Sequence, residues 1–95
     1  MEKQNIQIPP LPQVTKGAKG SKTVYTCDGK ILRTSKRDYK YVLFGLVHYF
    51  NPETRKVDET KLEWHHVGFG NNPQTLINSW KSIFRCQRFE VVTIQ

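Results

Sequence analysis

Residues 39–50, Tyr-Lys-Tyr-Val-Leu-Phe-Gly-Leu-Val-His-Tyr-Phe, form the most apolar stretch of the chain, and they follow directly on Ser35-Lys36-Arg37-Asp38. A strand with one wet face alternates apolar and polar side chains; a nearly continuous apolar run of this length predicts a strand covered on both faces. Something must therefore lie on each side of residues 39–50, and the basic turn ahead of them must sit on a rigid edge. Asn51-Pro52 ends the strand, because proline cannot donate to a ladder.

The flanking sequence supplies candidate partners. Residues 23–27 and 30–34 read as short strands joined by Asp28-Gly29, a hairpin signal because glycine supplies positive φ. Residues 53–60 read as a charged loop. Residues 61–68 alternate as a strand, with Leu62, Trp64 and His66 on one face and Glu63, His65 and Val67 on the other. Asn72 suits an N-cap and Pro73 the first helical position. Leu76, Ile77, Trp80, Ile83 and Phe84 then recur at helical spacing, opposite Gln74, Asn78, Lys81, Ser82 and Arg85. Residues 89–94 close as a strand.

The expected order is β-β-β-β-α-β: an α+β domain in which one helix packs on a small, twisted, mostly antiparallel sheet of about five strands. Trp64 and Trp80 occupy inward positions and are expected to share one core. Residues 1–22 read as a flexible arm beside a single domain at 23–95. Ile8-Pro9-Pro10-Leu11-Pro12 favours polyproline II, and residues 16–22 are small, basic and without apolar side chains beyond Ala18. Such an arm would stay free, lie on a partner subunit or follow a phosphate backbone.

A chain of 95 residues buries only a modest core and gains from a partner or from self-association, so a homo-oligomer is expected. No apolar run is long enough to span a bilayer, and residues 1–8 lack the apolar core of a signal peptide; a cytoplasmic location is expected. Cys27 and Cys86 are far apart with no CxxC, which predicts free thiols rather than a zinc site.

The formal net charge is +7, unevenly spread. Residues 16–40 carry eight Lys/Arg against two Asp, whereas residues 53–63 carry three against four acids. Residues 81–90 carry three Lys/Arg and one acid. This asymmetry favours an anionic partner, although excess lysine also serves solubility alone.

Three clusters could bind such a partner. In the basic turn, Arg33, Thr34, Ser35, Lys36 and Arg37 bring guanidinium, ammonium and hydroxyl groups together, and Tyr39 and Tyr41 could stack a base. The alternative is a strand edge kept basic against aggregation. At residues 68–73, glycines and a helix start resemble a weak phosphate cradle, but Asn72-Pro73 is equally well explained as a cap. Phe69 there is either a core plug or a stacking platform, with Asn71 beside it. Along the helix and its exit, Asn78, Lys81, Arg85 and Arg88 could extend the site, line a subunit interface or simply face solvent.

The histidines do not suggest a metal. His65 and His66 are adjacent on a strand and point to opposite faces, and His48 stands alone. No nucleophile–base pair is visible, so no catalysis, no metal and no cofactor is expected.

Residues 29–95, and most specifically the R-x-S-x-R-x-Y run Arg33–Tyr39, resemble a pattern in small phage-encoded proteins. In that pattern such a run opens a core strand, and a single helix precedes a closing V-V-x-I strand. One family this resembles is the anti-Thoeris nucleotide sponges, small α+β oligomers that sequester cyclic ADP-ribose-type immune signals without cleaving them. The resemblance implies that Arg37 grips a phosphate. It further implies that Phe69, Asn71 and an arginine after the helix, Arg85 or Arg88, complete the pocket from a neighbouring subunit. The leading expectation is a non-enzymatic binder of an anionic nucleotide, such as a cyclic ADP-ribose-type or cyclic oligonucleotide signal. The alternatives are a nucleic-acid-binding protein and an inhibitor that occludes a host defence protein.

Overall fold

The structure is a computed structural model and describes residues 7–95. Its centre is β4, Tyr41–Asn51, which pairs antiparallel with β5, Lys56–Gly70, on one side and β6, Arg88–Thr93, on the other. Residues 42–46 are all buried, as expected for a strand covered on both faces. The strand begins at Tyr41, not at residue 39. The backbone N–H of Tyr39 is already committed to the Tyr25 hydroxyl and that of Lys40 to Asn71 Oδ1, so neither enters the ladder.

The sheet is not single. A second one is built from β1, Val14–Lys19, β2, Lys22–Cys27, and β3, Lys30–Ser35, in that order. The molecule is thus α+β and mostly antiparallel, with six strands in two three-stranded sheets rather than about five in one. The β2–β3 turn is as expected: Asp28 and Gly29 have φ of 51° and 78°, the positive values that a two-residue hairpin turn requires.

Strand β1 corrects the reading of a free arm at residues 14–19, which belong to a sheet. Val14 is 0% exposed, and β1 pairs with β2 over its whole length. Strand pairing uses backbone groups, so the scarcity of apolar side chains between Lys16 and Lys22 did not forbid it. Ahead of β1, the Pro9 carbonyl accepts a hydrogen bond from Trp64 Nε1 at 2.8 Å, which ties the proline segment to β5. The first six residues of the expected arm lie outside the described residues.

The two sheets meet through the last residues of the chain. Gln95 donates its N–H to Val14 O at 2.9 Å and accepts from Lys16 N–H at 3.1 Å. The strands therefore follow one another as β3-β2-β1, then residue 95 and β6, then β4-β5. This curved wall folds over a core of Val14, Tyr25, Val42, Phe44 and Ile94, with Leu32, Tyr39, Trp64 and Phe69 packed against it. β3 pairs only with β2 and β5 only with β4, so the wall has an open seam between β3 and β5.

The opposite face of β4 and β5 carries α1, Pro73–Trp80, capped by Asn72 as expected. Glycines make room for it. A side chain at Gly68 would run into the Trp80 indole, and one at Gly45 would come within 2.7 Å of the Phe84 ring. Trp80 and Trp64 thus lie on opposite faces of β5 and do not share a core. A register shift between Leu43 and Phe44 leaves Val67 as an extra residue, and strict alternation along β5 ends there. Phe69 consequently joins Trp64 on the sandwich side, while Gly68 and Gly70 face the helix.

The helix ends at Trp80, so residues 81–85 are not helical as expected. Gln87 N–H bonds Leu46 O at 2.7 Å, and reaching β4 requires the chain to leave the helical path. Phe84 still covers Gly45, but Ile83 is left 71% exposed.

Candidate functional site: a basic end above an aromatic cluster

The basic turn is held from beneath. Tyr25 is 0% exposed, yet its hydroxyl donates to Arg37 O at 3.0 Å and accepts from Tyr39 N–H at 2.7 Å. A buried phenol needs such partners, and here they are the backbone of the turn. Ser35 Oγ accepts the Arg37 N–H at 3.1 Å, so this expected ligand hydroxyl also shapes the loop. Asn71 Oδ1 accepts the Lys40 N–H at 2.8 Å, tying the turn to the end of β5. The turn is thereby fixed by three side chains from three different segments.

Arg33 is placed by a bulge. The β2–β3 register shifts between Tyr25 and Thr26, which sets Arg33 directly opposite Tyr25 and turns it inward. Its guanidinium carbon lies 5.4 Å from the Tyr39 ring centroid and 5.7 Å from that of Phe69. Those rings pack on each other at 5.8 Å, and Phe69 on Tyr25 at 5.0 Å. Tyr39 and Phe69 are therefore not open stacking platforms: they form a half-buried base, and the flat exposed group above them is Arg33. Cation–π contacts of this kind contribute about 0.5–1 kcal/mol at exposed positions.

Strand pairing then gathers further cations. Lys19 pairs with Lys22 at the β1–β2 hairpin end, and Thr23 next to them pairs with Ser35 at the end of β3. Lys16, Lys19, Lys22, Arg33, Lys36, Arg37 and Lys40 thus share one end of the molecule. Asp38 is the acid among them, and Lys16 holds it at 2.7 Å. Among the described residues, the other six make no salt bridge. Lys16, Lys19 and Lys22 belonged to the expected arm, and nothing in their local sequence marks them as part of a strand-built patch.

Not every expected site residue arrives here. Arg33, Ser35, Lys36, Arg37, Tyr39, Phe69 and Asn71 converge; Lys81, Arg85 and Arg88 do not. Arg88 pairs with Glu90 at 2.7 Å and stands opposite Leu46. That is five residues along β4 from Tyr41, about 17 Å at strand rise. Lys81 is the C-cap of α1 and Arg85 follows it, on the helix side of the molecule.

Three grooves mark the surface, and none of them encloses the patch. One of about 420 Å³ lies in the open seam, between Leu32 of β3 and Trp64 of β5. Another, of about 670 Å³, lies under the proline segment beside Tyr49 and Leu62. A third, of about 330 Å³, runs from Phe69 and Asn71 to Trp80 along α1.

Titration behaviour is shifted in the seam. Burial, then the neighbouring His65 charge, lowers the His66 pKa below the ordinary imidazole value. Burial, then the adjacent Asp28 carboxylate, raises that of the Cys27 thiol and so disfavours its reactive thiolate. Among the described residues, no cluster of three or more His, Cys, Asp or Glu side chains could hold a metal ion. No described helix is long and apolar enough to cross a membrane. Comparison with protein-family models, curated proteins and solved structures finds no match to this chain.

Proposed function

We propose that this protein is a non-enzymatic nucleic-acid-binding protein that holds phosphates at its basic end. The observation that carries the reading is the convergence of seven Lys and Arg side chains from β1, β2, β3 and the turn, with a single ion-paired carboxylate among them. The patch is an open ridge, and none of the three grooves is lined by Lys36 or Arg37. A free nucleotide needs enclosure; a polymer draws its affinity from many phosphates in parallel. Fluorescence anisotropy with a labelled oligonucleotide across a salt series tests it. Binding should weaken steeply with salt, with a log–log slope of about −3 to −5 for four to six phosphate contacts. An affinity that ignores salt would sink the proposal.

A second reading is sequestration of a small anionic nucleotide by a homo-oligomer, as in the phage anti-defence sponges that residues 29–95 resemble. The groove beside α1 favours it, because Phe69 and Asn71 line it next to Lys40. Lys81 and Arg85 would then reach the ligand of a neighbouring copy. Native mass spectrometry with cyclic nucleotides and ADP-ribose isomers separates the readings: a symmetric oligomer retaining one nucleotide per site would replace the first by the second.

A further inference from the structure

We infer that the open seam between β3 and β5 is a nucleobase pocket and that the nucleic acid bound is single-stranded. This rests on the nucleic-acid reading above and goes beyond it, since phosphate contacts alone do not distinguish one strand from two.

Two observations carry it. The first is the seam itself. Its groove of about 420 Å³ has apolar walls in Leu32, Phe44 and Trp64, and a polar rim of Asp28, Lys30, His65 and His66. That size falls within the range of small-molecule sites. It exists because two edge strands with inward aromatic and aliphatic side chains are not joined across it. A flat heterocycle with polar edges suits such a slot: its faces meet apolar walls and its edges meet the rim.

The second is continuity with the cations. Arg33 follows Leu32 on β3, and its guanidinium carbon lies 5.7 Å from the centroid of Phe69, whose ring in turn meets the His66 ring at 6.1 Å. The exposed plane of Arg33 can stack a base, as arginine planes do in single-strand recognition. A strand laid along the edge of β3 would place phosphates on Lys36 and Arg37, one base over Arg33 and another in the seam. Lys30 at the far rim supplies a further cation beyond the pocket. A duplex keeps its bases stacked inward and cannot enter. The charge beside the groove also selects the occupant: Asp28 offsets Lys30 on the rim itself, but Arg33, Lys36 and Arg37 beyond it suit a polyanion, whereas an acidic peptide would bring few groups to fill an aromatic slot.

The test uses Trp64 as the reporter. Trp80 is the other of the two tryptophans, so the full-length Trp80→Phe variant isolates the seam signal. It is titrated with an oligothymidylate of about 20 nucleotides and with a duplex of the same length. The expected result is saturable quenching of Trp64 by the single strand, with the duplex bound about tenfold more weakly. His66→Ala, at an exposed rim position, is expected to weaken single-strand binding several-fold. Equal affinity for both forms with a silent Trp64 would overturn the base pocket and leave the phosphate reading standing. Binding of neither form would remove both.

Discussion

The Tyr25 hydroxyl accepts the backbone N–H of Tyr39 at 2.7 Å across 14 residues of sequence, and it donates to Arg37 O at 3.0 Å. One buried oxygen therefore links the sandwich core to the loop that carries Lys36 and Arg37. Replacing Tyr25 by Phe keeps the ring and removes that oxygen. Two backbone groups lose their partner, at an expected cost of about 1–3 kcal/mol in urea unfolding. Oligonucleotide affinity should fall with it, because the turn loses its anchor. Unchanged stability would show that water replaces the hydroxyl without penalty.

Lys36 and Arg37 are exposed and make no salt bridge among the described residues. The double change Lys36→Glu, Arg37→Glu should leave stability within about 0.5 kcal/mol, as surface substitutions do. In anisotropy titrations it should weaken oligonucleotide binding and reduce the salt slope by about 1–2. A full slope in the double variant would move the phosphate site elsewhere.

Gly68 lies against Trp80, where an added methyl has no room. Gly68→Ala should destabilise the protein by about 1–3 kcal/mol through overpacking. Because Trp64 is on the other face of β5, only Trp80 emission should change. A shifted Trp64 signal would contradict the separation of the two aromatic sites.

Deleting residues 1–19 should not trim a tail but unfold the protein, since it removes β1, the buried Val14 and the Gln95 pairing. The milder Val14→Ala should cost about 2 kcal/mol. Circular dichroism melts of both variants provide the check, and a deletion variant that melts like the parent would refute the role given to β1.

His66 has a depressed pKa because burial, then His65, disfavours its cation. The unfolded chain then binds the proton more readily than the folded one. The His66 contribution is complete above the ordinary value of 6.5 and is lost as pH falls from there through the lower folded value. The groups around the ring are His65, Phe69 and, across the groove, Asp28 and Lys30. Melting temperatures of His66→Gln should therefore fall less than those of the parent between pH 7.5 and 5.5, roughly one unit to either side of a free imidazole. His66 is exposed, so the difference should be small. Parallel curves would show that His66 titrates alike in both states.

Local chemistry was legible where neighbours in sequence decide it. The apolar run at 42–46, the positive φ of Asp28 and Gly29, and the Asn72-Pro73 cap all follow from residue type over a few positions. The basic turn and Arg33, Ser35, Lys36, Arg37, Tyr39, Phe69 and Asn71 were found for the same reason, since all but the last two crowd one short stretch. Tyr25 went unrecognised because nothing local says that its hydroxyl will be buried against a loop.

What only the tertiary structure decided depends on contacts between distant segments. Val14 meets Gln95 through backbone groups, which leave no trace in composition, and that meeting turns an apparent arm into a strand. Two register shifts, at Tyr25/Thr26 and Leu43/Phe44, reset the alternation so that Arg33 and Phe69 meet. Alternation read along a strand cannot foresee an extra residue that the partner strand imposes. The separation of Lys81, Arg85 and Arg88 from the basic end has the same origin. Charge and residue type are properties of the chain, whereas the end of the molecule at which a charge arrives is set by which surfaces bury each other.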